Sequence, residues 1–238
     1  MKPMPIICLI VVSFQLAENV YAQGFVNLDF ETTKITLTNF GRYVATVPGW
    51  SWTPLGNFVN GDTNTVAYND IALDAPAVTL QGTNSPYAPA IHGRYSILLQ
   101  GGDQFVLSNT NGSAIWQTGQ IPVTAESLMY WGGRGSFNGQ SQGALQVSFN
   151  GQSLTPVAIS TTANYTVWGI DISAYAGQTG ELRFTKPWLP TNDSDGVLLD
   201  NIQFSSSPIP EPSALALCGV SLLLFLGIRQ LTRPNTGN

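Results

Sequence analysis

The chain has 238 residues, of which 43% are hydrophobic and only 10% charged, a composition that fits neither a disordered polyelectrolyte nor a multi-span membrane protein. Lys and Arg number 9 against 14 Asp and Glu, and the resulting net charge of -5 removes the basic footprint that binding nucleic acid requires. With 24 Gly and 15 Pro, the mixture favours short strands and turns over surface helices, which draw on Lys, Glu and Arg.

Residues 1–22 open with Lys2, continue through an apolar run from Ile6 to Phe14 and end at Val20-Tyr21-Ala22. A basic start, a short greasy middle and small residues at the cleavage positions form a signal peptide, with cleavage expected before Gln23. Residues 23–204 then form the body, the acidic part of the chain. It contains no cysteine, because Cys8 lies in the leader and Cys218 near the C-terminus. Disulfides and thiolate metal sites are thereby excluded from the body, despite an oxidising destination.

Within the body, Asn27-Leu28-Asp29-Phe30-Glu31 reads as an opening strand, and Trp50 and Trp52 share one face of an extended segment. His92, in Ile91-His92-Gly93-Arg94, is the one histidine and is read as a structural residue at a strand start, since a lone imidazole cannot build a His-based zinc site. Tyr130-Trp131-Gly132-Gly133-Arg134 places an indole and a cation in an expected loop. Gly139-Gln140-Ser141-Gln142-Gly143 matches G-x-S-x-G, but a nucleophile elbow needs a helix after it and a histidine downstream, and His92 lies upstream. It reads as a loop.

Period-two alternation then dominates. In Leu145-Gln146-Val147-Ser148-Phe149 every second residue is apolar, and Asn150-Gly151 follows where a two-residue hairpin turn is expected. Similar alternation recurs in 165–172, 181–185 and 198–204, whereas no amphipathic stretch of helical period reaches a dozen residues. The expected fold is all-β, a two-sheet antiparallel β-sandwich of jelly-roll type.

All six tryptophans lie in the body. Sugar rings present apolar C–H faces that stack on indole while polar neighbours fix the hydroxyls. Trp131 and Trp188, with Arg134, are the candidate ligand-binding residues; Trp168, on an alternating strand, is expected in the core. Packing of all six is the competing expectation. No pair of acids stands out for glycoside hydrolysis, so no enzymatic activity is expected. Asn164-Tyr165-Thr166 has the form of a glycosylation acceptor and is read as incidental.

Asn192-Asp193-Ser194-Asp195-Gly196 gathers acids in a loop, but with Gly196 at the sixth position of an EF-hand the twelfth is Ile202, where a carboxylate is required. The last strand follows as Val197-Leu198-Leu199-Asp200-Asn201-Ile202. Together with Asn27 to Glu31 it resembles the terminal strands of galactose-binding-like jelly rolls, including many carbohydrate-binding modules. That resemblance implies one structural calcium ion held by Glu31 and Asp200.

Residues 205–209 form a spacer. Pro210-Glu211-Pro212 follows, then an apolar run over 214–228, then Arg229 and Arg233, then a 234–238 tail. As a helix the run measures about 22 Å, short of the roughly 30 Å hydrocarbon core but extended by its flanks. Arginines on its far side alone put the C-terminus in the cytoplasm and the body outside. These three ordered elements in residues 210–233 resemble the sorting segment of PEP-CTERM proteins. The resemblance implies a Gram-negative bacterium, an exosortase-type enzyme as partner, an inner-membrane intermediate, and delivery to the cell surface or extracellular matrix. The function expected is non-enzymatic binding of extracellular polysaccharide, against two alternatives: a matrix or coat component without a defined ligand, and a small glycan hydrolase.

Overall fold

A computed structural model describes residues 24–53, 65–71, 76–101, 112–134, 145–188 and 196–209. The leader, the loops over 139–143 and 192–195, and the sorting segment with Pro210, Glu211, Pro212, Arg229 and Arg233 lie outside the described residues. Among the described residues no helix is long and apolar enough to cross a membrane.

The strands in chain order are β1 (Lys34–Leu37), β2 (Tyr43–Thr46), β3 (Ser51–Trp52), β4 (Val66–Tyr68), β5 (Ala77–Gly82), β6 (Tyr95–Gln100) and β7 (Ser113–Gln120). They continue as β8 (Ser127–Arg134), β9 (Gln146–Phe149), β10 (Gln152–Leu154), β11 (Val157–Thr161), β12 (Tyr165–Asp171), β13 (Thr179–Lys186) and β14 (Gly196–Ser205). One sheet has the order β1-β2-β4-β5-β6-β14-β8-β12-β11, the other β10-β9-β13-β7-β3. Neighbours are antiparallel except β4 and β5, which run parallel. The described residues thus form an all-β sandwich of two sheets.

Alternation along each strand explains the two layers. In β13, Gly180, Leu182, Phe184 and Lys186 are buried while the residues between them are more open. In β8, Leu128 and Tyr130 take the same role. Facing side chains of the two sheets then close one core, centred on aromatics. Phe184 lies 5.4 Å from Tyr130 and 6.4 Å from Trp50, and Trp50 lies 5.6 Å from Phe30. The expected hairpin is present: Gln152 pairs with Phe149, and Asn150 and Gly151 take φ 49° and 77°, the left-handed pair that a type I′ turn demands.

The opening segment differs from expectation. Residues 27–33 form a turn rather than a strand, because Asn27 and Phe30 adopt φ 50° and 60°. The Asn27 side-chain oxygen accepts from the Thr32 amide at 3.0 Å, and the Asn27 carbonyl accepts from the Trp50 indole at 2.9 Å. The turn drives Phe30, fully buried, into the core. β14 bulges where it meets it: its register on β8 shifts between Asp200 and Gln203, Asn201 has φ 48°, and the Ile202 amide donates to the Leu28 carbonyl at 3.0 Å.

The outer face of the longer sheet carries a second apolar cluster. Ala88, Leu98 and Leu198 are buried there, with Ile71 and Ile91 against them. The chain before β6 therefore straps over β6 and β14. It reaches β8 as well, where a Cβ on Gly133 would approach the Ile91 side chain to 2.7 Å, so a larger residue there would displace Ile91.

Candidate glycan-binding cleft

Arg134 ends β8, and its surroundings follow from strand register. Tyr165, which opens β12, pairs with Gly133, so the turn joining β11 to β12 stands beside Arg134. The Thr162 hydroxyl shapes that turn: it accepts from the amides of Asn164 and Tyr165 at 3.2 and 3.1 Å, and donates to the Tyr165 carbonyl at 3.0 Å. The Thr161 and Thr166 hydroxyls bond to each other at 3.2 Å across the two strands.

Two hollows flank this turn. One, of about 260 Å³, is lined by Gly132, Arg134, Trp168 and the residues from Thr161 to Thr166. The other, of about 370 Å³, lies between Arg134, Ala163 and Asn164 on one side and the strap residues 87–91 on the other. Arg134, Ala163 and Asn164 belong to both. Among the described residues no carboxylate lines either hollow. Trp168 packs on Tyr130 with nearly parallel rings 6.5 Å apart, and its indole N–H is buried with no acceptor among the described residues. The lining is thus hydroxyl, amide, indole and one guanidinium, a set that can hold a neutral polar molecule and one anionic group.

Of the three residues predicted to bind ligand, the structure brings only Arg134 to these hollows. Trp131 lies on β8 rather than in a loop, and its ring stacks on Tyr165 at 4.3 Å with an interplanar angle of 4°. His92 packs against the same indole at 4.8 Å and 73°. Trp131 thus supports Tyr165 instead of lining a hollow. Trp188 follows the end of β13, where its amide packs against Gly112, and it too lines neither hollow. Thr161, Thr162, Asn164 and Tyr165 line the first hollow and were not among the expected ligand-binding residues. The signal was a short polar turn with an aromatic between two alternating segments, and its proximity to Arg134 depends on a pairing across distant sequence.

Glu31 and Asp200 sit at a different place, where the opening turn meets the start of β6 and the bulge of β14. The Glu31 carboxylate accepts from the Arg94 amide at 2.6 Å, the Tyr95 amide at 3.1 Å and the Arg94 guanidinium at 2.9 Å. Burial pushes its pKa up, but these hydrogen bonds outweigh burial and hold it below the ordinary value. Gly93, at φ 56°, completes the arrangement, because a Cβ there would collide with the Glu31 carboxylate. Asp200 is fully buried, accepting from the Ser96 hydroxyl at 2.7 Å and the Asn201 amide at 2.6 Å. Burial pushes its pKa up to about 7 against those hydrogen bonds, with the charges of Glu31 and Asp29 adding to the rise. Among the described residues no group of three or more His, Cys, Asp or Glu side chains is arranged to hold a metal ion.

No protein-family model and no curated protein matches the chain. Among solved structures, the apo form of a cyclase from Fischerella sp. aligns with a TM-score of 0.36 and 16% identity, over 79% of this chain and 97% of that one. A likeness at that level carries neither fold nor activity across.

Proposed function

We propose that this is an exported, non-enzymatic carbohydrate-binding protein of the cell surface or extracellular matrix, with its ligand in the cleft around Arg134 and Asn164. One observation carries the reading: two adjoining hollows share Arg134 and Asn164, are lined by hydroxyl, amide and aromatic groups, and hold no carboxylate among the described residues. Glycosidases need a pair of acids across the scissile bond, so a described lining without acids fits binding better than hydrolysis. Export rests on the leader and on the sorting segment at 210–233, and the jelly-roll assignment on the resemblance of the terminal segments together with the two-sheet architecture.

Titration of the purified protein against a panel of soluble oligosaccharides, followed by chemical-shift or calorimetric change, tests the binding reading. Saturable binding that weakens in Asn164→Ala is expected. A panel that yields no binding leaves the matrix-component reading in its place. For sorting, mass spectrometry of the protein recovered from its producing cells is expected to show an N-terminus at Gln23 and loss of the apolar 214–228 run. Recovery of the full-length chain with both ends uncut would remove the export proposal.

A structural calcium ion at Glu31 and Asp200 is a second proposal. The charges of Asp29 and Glu31 both act on Asp200 there, and calcium takes six to eight oxygens. Binding it would require Glu31 to leave Arg94 and Asp200 to stay ionised. Both changes have measurable consequences for stability.

A further inference from the structure

Going beyond the carbohydrate reading, on which it rests, to the class of sugar, we infer that the glycan bound at the Arg134–Asn164 cleft is acidic, a uronate whose carboxylate pairs with the Arg134 guanidinium.

The described arginines differ in how they are used. Arg94 is closed by Glu31 at 2.9 Å and Arg183 by Glu181 at 2.8 Å. Arg183 also lies over the Trp116 ring at 4.0 Å. Arg42 and Arg134 are both exposed, and among the described residues neither guanidinium has an ion pair or hydrogen bond, but only Arg134 lines these hollows. Its position is what matters, because it borders both hollows, and no acid among the described lining residues competes for it. Among the described residues, an anion at the seam would therefore meet one cation and no like charge.

Chemistry selects a carboxylate on a sugar. A guanidinium presents parallel N–H donors that match the two oxygens of a carboxylate, forming a charge-assisted pair that a neutral hydroxyl cannot equal. The other lining groups, among them the Thr161 hydroxyl and Asn164, suit hydroxyl and ring oxygens. A uronate flanked by further sugar residues fits both halves of this description, with the acid at Arg134 and its neighbours in the two hollows. The net charge of -5 means that long-range attraction does not recruit a polyanion. Recognition is then a contact effect, with salt sensitivity confined to one pair.

The full chain is titrated calorimetrically with oligogalacturonate, its methyl ester, a neutral galactan oligosaccharide and a sulfated galactan oligosaccharide. The methyl ester keeps the ring shape and removes only the charge. Oligogalacturonate is expected to bind about tenfold more tightly than its ester, the factor typical of gaining one charged hydrogen-bonded pair. Arg134→Gln is expected to erase the difference and Arg134→Lys to keep part of it. Equal affinity for acid and ester, or a difference that survives Arg134→Gln, overturns the inference while leaving the carbohydrate reading intact. Tighter binding of the sulfated glycan than of the uronate overturns the carboxylate assignment. No binding of any of the four removes the carbohydrate reading and this inference with it.

Discussion

Urea denaturation at a series of pH values is expected to show stability falling by about 4 kcal/mol as pH rises from near 3.8 to about 7, owing to Asp200 alone. The sign follows from proton counts. Between the ordinary aspartate value and the folded one, the folded state holds a proton on Asp200 that the unfolded chain has released. Raising pH therefore favours unfolding across that window, and the contribution is complete below 3.8 and gone above about 7. Glu31 and Asp171 act oppositely: their pKa values are lowered in the fold, so their contribution is lost as pH falls below the ordinary carboxylate range. Together these predict greatest stability in mildly acid solution.

The cause is structural. Asp200 is fully buried on the outer face of the longer sheet, beside Ser96 of β6, whose hydroxyl also accepts from the Ile91 amide at 3.0 Å. Bulk water is absent, and the charges that face Asp200 from the opening turn are Asp29 and Glu31, with Arg94 engaged by Glu31. Ionisation costs the fold accordingly. Asp200→Asn is expected to flatten the dependence, and a wild-type slope retained in that variant would dismiss the assignment. The same titration decides the calcium proposal. A bound ion would keep Asp200 ionised, so added calcium should raise the denaturation midpoint near pH 7 and abolish the slope. An unchanged midpoint and slope in excess calcium removes the ion from the account.

Phe184→Ala is expected to cost about 3–5 kcal/mol, the range for emptying a well-packed aromatic site. The ring is fully buried on β13 and contacts aromatics that arrive from β8 and from the segment just before β3. Because both sheets and the segment before β3 share it, neighbours cannot collapse into the hole without moving a strand. Val123→Ala is the matched control, since Val123 is 76% exposed and its truncation should fall within about 0.5 kcal/mol of neutral. The midpoint should drop without a change in denaturant slope. A loss under about 1 kcal/mol for Phe184→Ala would show that the two sheets do not share a single cooperative core.

Local pattern settles several features of this chain before any folding is considered. Alternation in 145–149, 165–172, 181–185 and 198–204 makes those segments β-strands, because a period of two turns every second side chain to the same face. Asn150-Gly151 makes a tight turn because only such residues accept two successive left-handed conformations. The absence of cysteine between Cys8 and Cys218 leaves hydrophobic burial as the main source of stability in the body. Each of these depends on neighbours a few residues apart.

Distant pairings govern everything else. Asn27 to Glu31 has the composition of a strand and is a turn, since the bulge in β14 and the pocket for Phe30 claim its backbone. Trp131 has the look of an exposed platform and instead stacks on Tyr165, because β12 pairs beside β8. Arg134 meets Asn164 through that same pairing. Asp200 is ordinary as a residue and becomes a buried acid only when β6 and the strap close over it. Spacing along the chain does not encode which strands become neighbours, and a cleft or a shifted pKa exists only after that choice is made.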